Sequence, residues 1–572
     1  MSKKSIVSPI ARIVLGLILA AVFCIFAAKL VDPWINKIGT AKAKDVIWSI
    51  ITLIAGAVLL ISGIAELVRS LHFNRMVTNS GMQVKKVKHA TIGDFFKKIG
   101  AWFANAGKAV ANEFKDIVQT FRNGDWKTKL SFLVMGFGSI ARGQVLRGIL
   151  FLLFEIVFIV YMIFAGAHWL SLLPTLGTKG PSVVYNEVLD QYVSQYNDNS
   201  FKILLYGVLT IFFIIAFIYT WRLNVKQNKI SEEILRSGKP LKSGKDDLRS
   251  LVDDKFHATL LALPLTGIII FTVLPIIFMI LVAFTNYDGA HDGYYNNLFT
   301  LVGLKNFNTM LSWKAVGGGQ SYAATFGEIL TWTLIWAFFA TFTNYFLGMF
   351  VAMMINKKGI HFKKVWRTIL VMTIAIPQFI SLLYVSKMFA KNGIVNGTLI
   401  ALKIIDKSKP IPFWEDPTLA RVMVILINIW IGIPYMMLIS TGILMNIPAD
   451  LYESAKIDGA SPWQQYRKIT LPYMLFITGP YLLTSFTGNM NNFNVIYLLT
   501  GGAPANSAAS TAAGTVGYTD LLITWLFKIA TGAEAQYYMA SVIGIMVFAV
   551  VAVISLIVYN LLPSIKNEED FQ

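Results

Sequence analysis

The amino-acid sequence predicts an all-α polytopic membrane protein with about ten transmembrane helices. Hydrophobic residues make up 55% of the 572 residues, charged residues make up 14%, and the mean hydropathy is +0.60. A water-soluble protein needs far more charge on its surface. A bilayer core about 30 Å thick is crossed by roughly 20 apolar residues in a helix. Ten such runs lie near residues 11–31, 46–68, 145–170, 202–221, 258–283, 326–355, 367–389, 420–444, 473–499 and 538–562.

The distribution of basic residues predicts which loops face the cytoplasm. The loop between the second and third runs is rich in lysine, whereas residues 171–200 carry Lys179 against three acids. Cytoplasmic loops are enriched in Lys and Arg, so the first of these loops is predicted inside and the second outside. Counting runs from there places residues 445–472 and both termini in the cytoplasm of a multi-pass cell-membrane protein. The short 32–45 loop, which carries three lysines, disagrees with this orientation.

The chain is predicted to have two parts. Residues 1–257 contain four runs joined by charged loops, with 222–257 as a linker, and residues 258–572 contain six runs with short connections. Within the first part, aromatic residues alternate with lysines in Ile92–Val118, which favours an amphipathic helix at the membrane interface. Leu130–Ala141 is apolar but too short to span, so it is predicted to be interfacial or re-entrant.

The sequence indicates no catalytic residues, no metal site and no cofactor. It lacks a Gly-rich phosphate loop ending in Gly-Lys-Ser/Thr, and its six histidines lack the spacing of zinc ligands. Few ionisable residues occupy the apolar runs, although proton- or sodium-driven transporters use such groups; Glu66, Glu155 and Glu328 lie near run ends. Transport by this chain would therefore draw its energy from another subunit.

Two further features limit the class of protein. Cys24 is the single cysteine, so no intrachain disulfide can form and disulfide-rich secreted folds are excluded. The net charge of +19 suits nucleic acid in principle, but the basic residues flank apolar runs instead of clustering on one polar domain. Nucleic acid is therefore not an expected partner.

The cytoplasmic loop 446–472 contains the start and stop signals of two short helices. Pro448 suits the first position of a helix, and Gly459 suits the left-handed residue that follows a helix end. Ser461–Gln464 supplies an N-cap serine, a first-position proline and a capping-box glutamine. The sequence therefore predicts a helix–turn–helix on the cytoplasmic face.

The second of these helices would carry an apolar stripe. Trp463, Tyr466 and Ile469 recur at helical spacing. A loop in water does not keep such a stripe unless something buries it. Either a partner protein covers the stripe or the neighbouring spans do.

This loop resembles the signature loop of binding-protein-dependent ABC importer permeases, in which Glu-Ala-Ala is followed three residues on by Gly and then by Ile-x-Leu-Pro. Ser454 replaces the middle Ala. The matching positions are Glu453, Ala455, Asp458, Gly459, Ala460, Ile469, Leu471 and Pro472. The resemblance implies a type I ABC importer permease core in residues 258–572. It also implies that the loop is the coupling helix seated in a separate ATPase, with Glu453 and Gly459 as its most important residues.

Other segments are similar to the maltose/maltodextrin permease subunit of the MalF type. They are residues 430–437, 491–504 and 517–522, and the likeness covers about residues 258–565. It implies a second, MalG-like permease, two ATP-binding subunits and an extracellular sugar-binding protein as partners, besides membrane lipid. The 284–325 loop is too short for the large extracellular domain that some relatives insert.

Uncharged polar residues mark one face of the ninth run. Ser485, Asn489 and Asn492 fall at i, i+4 and i+7, and buried polar groups need partners. Amides and hydroxyls suit a neutral polyhydroxylated ligand, with Tyr435 as an apolar plate for a sugar ring. Hydrogen bonds between helices explain the spacing equally well.

The resemblance favours the ligand. It aligns the family's sugar-contacting positions with Ile431, Gly432, Tyr435, Ser485, Asn489 and Asn492. Gly488 stands where the family has an aromatic residue, so a roomier or differently shaped pocket is expected.

The sequence thus predicts the transmembrane permease of an ATP-driven maltose/maltodextrin importer. Within transport, the alternative is a permease for another oligosaccharide or a glycerol-phosphate type solute. From a different class, the chain would be a membrane enzyme or scaffold whose asparagine face only packs, but no acid/base pair or metal cluster supports that hypothesis.

Overall fold

The computed structural model describes residues 105, 108 and 111–561, apart from 242, 316–318, 358, 512 and 513. The predicted spans near 11–31 and 46–68 lie outside the described residues, and so does most of the predicted interfacial helix Ile92–Val118. The part of that helix that is described, residues 111–118, is helical. The described residues from 119 to 561 belong to one compact unit.

The described elements are almost all helices. In chain order they are α1 (Trp126–Leu130), α2 (Phe137–Ile140), α3 (Val145–Leu172), α4 (Ser200–Arg236), α5 (Gly244–Val252), α6 (Phe256–Val282), α7 (Lys305–Leu311), α8 (Tyr322–Asn356), α9 (Lys363–Ala375), α10 (Gln378–Met388), α11 (Ile394–Ala401), α12 (Pro417–Leu444), α13 (Ala449–Ile457), α14 (Pro462–Met490), α15 (Phe493–Leu499), α16 (Leu522–Thr531) and α17 (Tyr537–Leu561). Two antiparallel hairpins pair β1 (Ser182–Asn186) with β2 (Gln191–Gln195) and β3 (Ala505–Thr511) with β4 (Gly514–Gly517).

Eight of the ten predicted spans fall within the described residues. Seven of them correspond to helices long and apolar enough to cross a membrane: α3, α4, α6, α8, α12, α14 and α17. The eighth, predicted at 367–389, is instead a broken pair, α9 and α10, bent by 90°. The break falls at Ile376–Pro377, because proline disfavours helical backbone in the residue before it and lacks an N–H. Ile376 accordingly has φ −81° and ψ 125°.

The ninth span also differs from its predicted bounds of 473–499. Its helix, α14, begins at Pro462 and ends at Met490, and the separate helix α15 follows from Phe493. The side chain of Asn492 accepts a hydrogen bond from the Val495 N–H at 3.3 Å and so caps α15. This cap ends the ninth helix earlier than its apolar run does.

Several spans contain a wide π turn within an otherwise regular helix. The π segments are Met162–Gly166, Ile269–Val273, Phe339–Thr343 and Tyr466–Thr470. The second and the fourth lie just before Pro275 and Pro472. A proline ring crowds the carbonyl four residues earlier and offers it no N–H, so a locally wider turn lets the helix continue past the proline.

Helices α8 and α12 pack closely through two glycines. A Cβ added at Gly348 would lie 2.2 Å from the Cβ of Met436, and one added at Gly432 would lie 2.2 Å from Nδ2 of Asn344. In lipid, helices gain little from burying apolar surface against each other, so small residues that allow close van der Waals contact decide which helices associate. The two glycines therefore set the spacing of this pair.

Residues on both sides of the predicted division at residue 257 pack in one apolar cluster. Leu176 and Ile203, from the first part, are buried in the same cluster as Val282 and Phe299 from the second. The different roles suggested for the two parts stay a prediction.

The segment Leu130–Ala141 folds back against α3 and α4 and does not span. Glu155 of α3 accepts the Met135 N–H at 2.8 Å, and Asn224 of α4 accepts the Gly136 N–H at 3.0 Å. The buried guanidinium of Arg142 donates to the carboxylate of Asp125 at 2.6 Å. Burial by itself raises the pKa of Asp125, but hydrogen bonds from Thr128 and the Arg142 charge outweigh it and hold the pKa below its usual value.

We expect Gly432→Ala to destabilise the purified chain by roughly 1–3 kcal/mol, because the added methyl group must displace the amide of Asn344. Gly442→Ala, on the same helix, is the control, since a Cβ there meets no described atom within 4 Å. Thermal unfolding in detergent measures both variants. Equal unfolding midpoints for the two variants would contradict the close packing.

Candidate functional site

The first helix of the cytoplasmic loop has the predicted end. Gly459 has φ 75°, and its N–H donates to the Lys456 carbonyl at 3.0 Å, while the Ala460 N–H donates to the Ala455 carbonyl at 2.8 Å. These two bonds form a Schellman motif, which needs a left-handed residue at the glycine. The prediction for Pro448 is wrong by one position, since it is the N-cap of α13, with extended ψ of 130°.

The second half of the loop is the start of a membrane helix. The predicted capping box is present: Ser461 Oγ accepts the Gln464 N–H at 3.3 Å, and Gln464 Oε1 accepts the Ser461 N–H at 2.7 Å. The helix that begins there does not stop within the loop but continues through Pro472 to Met490. The prediction of two short helices is therefore wrong for the second helix.

The two helices of the loop are joined by one buried polar contact. The Tyr452 hydroxyl lies 2.9 Å from the Thr470 hydroxyl, and Thr470 is buried. Helices α13 and α14 are therefore linked by a hydrogen bond as well as by the short turn at Gly459.

The apolar stripe of the loop divides between two environments. Tyr466 is half-buried in a cluster with Met474, and Ile469 is also half-buried. Trp463 stacks on Tyr466 but stays 67% exposed, and Ile457 of α13 is 87% exposed. The neighbouring spans thus cover one part of the stripe and leave the other part open. We call Leu451, Ile457 and Trp463, which are all exposed, the coupling surface.

The signature residues of the loop differ in their exposure. Glu453, Asp458, Gly459 and Pro472 are exposed, and Ala455, Ala460, Ile469 and Leu471 are half-buried.

The amide groups of the ninth span form a hydrogen-bonded cluster with α8. Asn489 donates from Nδ2 to the Thr341 hydroxyl at 3.0 Å, and Asn492 donates to Asn489 Oδ1 at 3.3 Å. The Trp336 indole N–H donates to the Asn489 carbonyl at 3.0 Å. Asn492 does not share a helix with Ser485 and Asn489, contrary to the predicted i, i+4, i+7 spacing, because α14 ends at Met490. The break still leaves the two amides in contact.

The remaining predicted sugar-contacting residues lie on α12 and α14. Tyr435 is exposed, Ile431 and Gly432 are half-buried, and Ser485 hydrogen-bonds the Tyr481 hydroxyl one turn earlier. A Cβ at Gly488 would meet no described atom within 4 Å, so this position has room for a larger side chain.

Two buried polar residues of α8 were not predicted as site residues. Thr341 is buried and holds Asn489, and Asn344 is buried with its Oδ1 lacking a hydrogen-bond partner. Each is a polar residue inside an apolar run, which is a signal in membrane sequences. The contact of Thr341 with Asn489 depends on how α8 packs, which the spacing within one run does not reveal.

Metal chemistry has no support among the described residues, where no group of three or more His, Cys, Asp or Glu side chains is placed to hold an ion.

Comparison with known proteins identifies the family. Residues 344–567 match the model described as the binding-protein-dependent transport system inner membrane component. Over 451 residues the chain is 32% identical to the maltodextrin transport system permease protein MalC of Streptococcus pneumoniae, an alignment that covers 77% of this chain and 97% of MalC. The chain belongs to the binding-protein-dependent ABC importer permeases. It is a transport component and not an enzyme, and a separate subunit hydrolyses ATP.

Other members of this permease family have different sugars in their names. The galactooligosaccharides transport system permease protein GanP of Bacillus subtilis is 31% identical over 440 residues, covering 76% of this chain and 97% of GanP. The maltose/maltodextrin permease MalF of Escherichia coli is 35% identical over 259 residues, covering 45% of this chain and 48% of MalF. The alignment with MalC extends over 451 residues, which is more than residues 258–572 contain. The likeness to relatives therefore extends into the region before residue 258, which the predicted coverage of 258–565 missed.

We expect the Asn489–Thr341 hydrogen bond to contribute to the packing of α14 on α8. Thr341→Val and Asn489→Ala should each lower stability, with a coupling energy of about 0.6 kcal/mol in a double-mutant cycle, as is usual for such bonds in membranes. Unfolding of the purified permease in lipid measures the four proteins. Strictly additive single effects would contradict the bond.

Proposed function

We propose that this permease imports maltose or maltodextrins in an ATP-driven complex. It pairs with a second, MalG-like permease, two copies of an ATPase and an extracellular sugar-binding protein. Both termini and loop 446–472 face the cytoplasm. The assignment of maltodextrin is supported by the names of MalC and MalF, and the coupling role by the geometry of the loop.

The coupling surface is the observation that carries the transport mechanism. Ile457 and Trp463 project from a loop that a Schellman motif, a capping box and the Tyr452–Thr470 contact hold in one shape. Burying such a side chain against a partner is worth roughly 1.5–3 kcal/mol. A preformed apolar surface flanked by Glu453 suits insertion into a cleft of the ATPase, because little conformational entropy is lost on docking.

The continuity of α14 relates ATPase movement to the sugar path. The coupling surface includes Trp463 in the first turn of α14, and Asn489 lies in its last turn. Closure of the ATPase dimer would move the cytoplasmic end of α14, and the rigid helix would carry Asn489 relative to Thr341 of α8. The amide cluster thus lies where α14 and α8 would shift against each other.

The amide cluster also supports an uncharged sugar as substrate. Asn489 and Asn492 still have donor or acceptor capacity after their mutual hydrogen bond, and Tyr435 and Tyr481 are exposed aromatic rings on the neighbouring faces. Hydroxyl groups of a sugar would pair with the amides while its apolar ring face lies on a tyrosine.

A second candidate substrate is a galactooligosaccharide. GanP matches this permease over nearly the same share of the chain as MalC and at nearly the same identity. Both sugars are neutral and polyhydroxylated, so the amide cluster suits either. Uptake of the two labelled sugars separates the hypotheses.

The coupling role predicts that Gly459→Val abolishes sugar-stimulated ATP hydrolysis while the importer still assembles. Valine is strained at a positive φ and would reshape the turn that displays Ile457. Gly238→Val is the matched control: Gly238 follows the end of α4 with φ 73°, and a Cβ there meets no described atom within 4 Å. The sugar-stimulated rate of ATP hydrolysis is measured on the reconstituted complex. Normal stimulation of the Gly459→Val complex would exclude the coupling role.

The sugar role predicts that Asn489→Leu strongly reduces uptake of labelled maltotriose into proteoliposomes, since leucine leaves a sugar hydroxyl without a partner. Thr341→Val removes the same interhelical bond but spares the amide, so it should keep most of the uptake. Equal losses in both variants would mean that Asn489 only packs. Wild-type uptake of labelled galactooligosaccharide without uptake of labelled maltotriose would favour the second candidate substrate.

A further inference from the structure

An exposed hairpin stands in the loop between α3 and α4, which the charge distribution predicts to be extracellular. Strands β1 and β2 pair in register, with Tyr185 opposite Tyr192. Among the described residues, apolar side chains on both faces of this hairpin are open to solvent. The exposed apolar residues are Val183, Val184, Tyr185, Val188, Leu189 and Tyr192. We call residues 182–195 the outer hairpin.

The two chain segments at the base of the outer hairpin are hydrogen-bonded to each other. The carboxylate of Asp198 accepts the N–H groups of Thr178 and Lys179, each at 2.8 Å, and Asn197 donates to the Gly180 carbonyl at 3.0 Å. Burial raises the pKa of Asp198, but these backbone hydrogen bonds outweigh it, so the pKa is lowered and the carboxylate is charged at neutral pH. The hairpin is thus held at a defined position.

The base is also packed against the loop that follows α6. The Tyr196 ring lies 5.1 Å from the Tyr294 ring and 5.4 Å from the Tyr295 ring, measured between centroids. Such aromatic pairs stabilise a contact beyond the area that they bury.

The tip of the outer hairpin is ordered in a way that displays two aliphatic residues. The Asn186 side chain accepts the N–H groups of Val188 at 2.9 Å and Leu189 at 3.2 Å, an arrangement typical of Asx turns. The Tyr185 hydroxyl donates to Asp190 across the tip. With its backbone held in this turn, Val188 is 92% exposed and Leu189 is 57% exposed.

An isolated hairpin of this kind needs a partner. A two-stranded hairpin is marginally stable in water, and contiguous exposed apolar side chains mark interaction surfaces. The base and the ordered tip of the outer hairpin hold Val188 and Leu189 in an exposed position. In this respect the two residues resemble the preorganised anchor residues of protein interfaces.

We infer that the outer hairpin docks the extracellular sugar-binding protein in its sugar-loaded form. This inference rests on the proposed function, and its orientation on the charge distribution. The family description is binding-protein-dependent, and the charge distribution predicts the hairpin to lie on the side of the membrane opposite to loop 446–472, where an extracellular binding protein would dock. Glu187 and Asp190 give the tip an acidic rim, so the complementary surface is an apolar patch with basic residues around it.

The test uses the complete importer in lipid nanodiscs, with the purified binding protein loaded with maltotriose. Val188→Ser combined with Leu189→Ser should raise the concentration of binding protein that half-saturates ATPase stimulation by roughly tenfold or more, because two central anchors are lost. The maximal rate and the basal rate without binding protein should not change. Both residues are exposed, so the hairpin keeps its fold.

Ile404→Ser is the matched control. Ile404 is an exposed aliphatic residue in another loop that is predicted to be extracellular, and its replacement should leave half-saturation within about twofold. An unchanged half-saturation in the hairpin variant, or an equal shift in Ile404→Ser, would overturn the inference.

A photo-crosslinker attached to Val188→Cys identifies the neighbour directly. An adduct with the binding protein that depends on maltotriose supports the inference. Crosslinks only to the second permease or to lipid overturn the inference. The inference is also overturned if maltotriose binds to the permease in the absence of binding protein and the serine variants abolish that binding. A wild-type importer that no sugar-loaded binding protein stimulates would instead contradict the proposed function, and the crosslinking result would then be negative in every variant.

Discussion

The unbroken course of α14 through Pro472 is the constraint on which the rest of the site depends. A proline has no N–H and its ring crowds the carbonyl four residues earlier, so it either breaks a helix or is accommodated by a local change of winding. The π turn at Tyr466–Thr470 accommodates Pro472, and the helix continues. Trp463 of the coupling surface and Asn489 therefore lie on one continuous helix.

The same constraint has the opposite outcome at Pro377, where the chain turns by 90° between α9 and α10. A rigid α14 also needs a surface to move against, and the close pair of α8 and α12 supplies it. Gly348 and Gly432 bring these helices together and leave Asn344 buried with an unsatisfied carbonyl oxygen. An unpaired buried acceptor costs roughly 1–3 kcal/mol, which a different arrangement of the helices or a bound hydroxyl group would recover.

Local signals predicted the turn and the capping box of the loop well, and they predicted the ends of the spans less well. The Schellman turn at Gly459 and the capping box at Ser461 involve residues within five positions of each other, so their geometry is decided by the sequence between them. The end of α14 at Met490 was missed because Asn489 and Asn492 fit the spacing of one helix face, whereas Asn492 in fact caps α15. The contact of Asn489 with Thr341 joins residues 148 positions apart, beyond the reach of any periodicity.

By itself, the sequence determined the membrane class, the approximate spans, the coupling loop and its family, because hydropathy, charge asymmetry and caps are properties of short segments. Only the tertiary structure decided that α14 joins the loop to the amide cluster, that Gly432 serves the packing of two helices, and that the outer hairpin displays Val188 on an ordered turn. These depend on which side chains from distant segments meet. In a bilayer that choice follows from close packing and hydrogen bonding, not from hydrophobicity, which is nearly uniform along the spans.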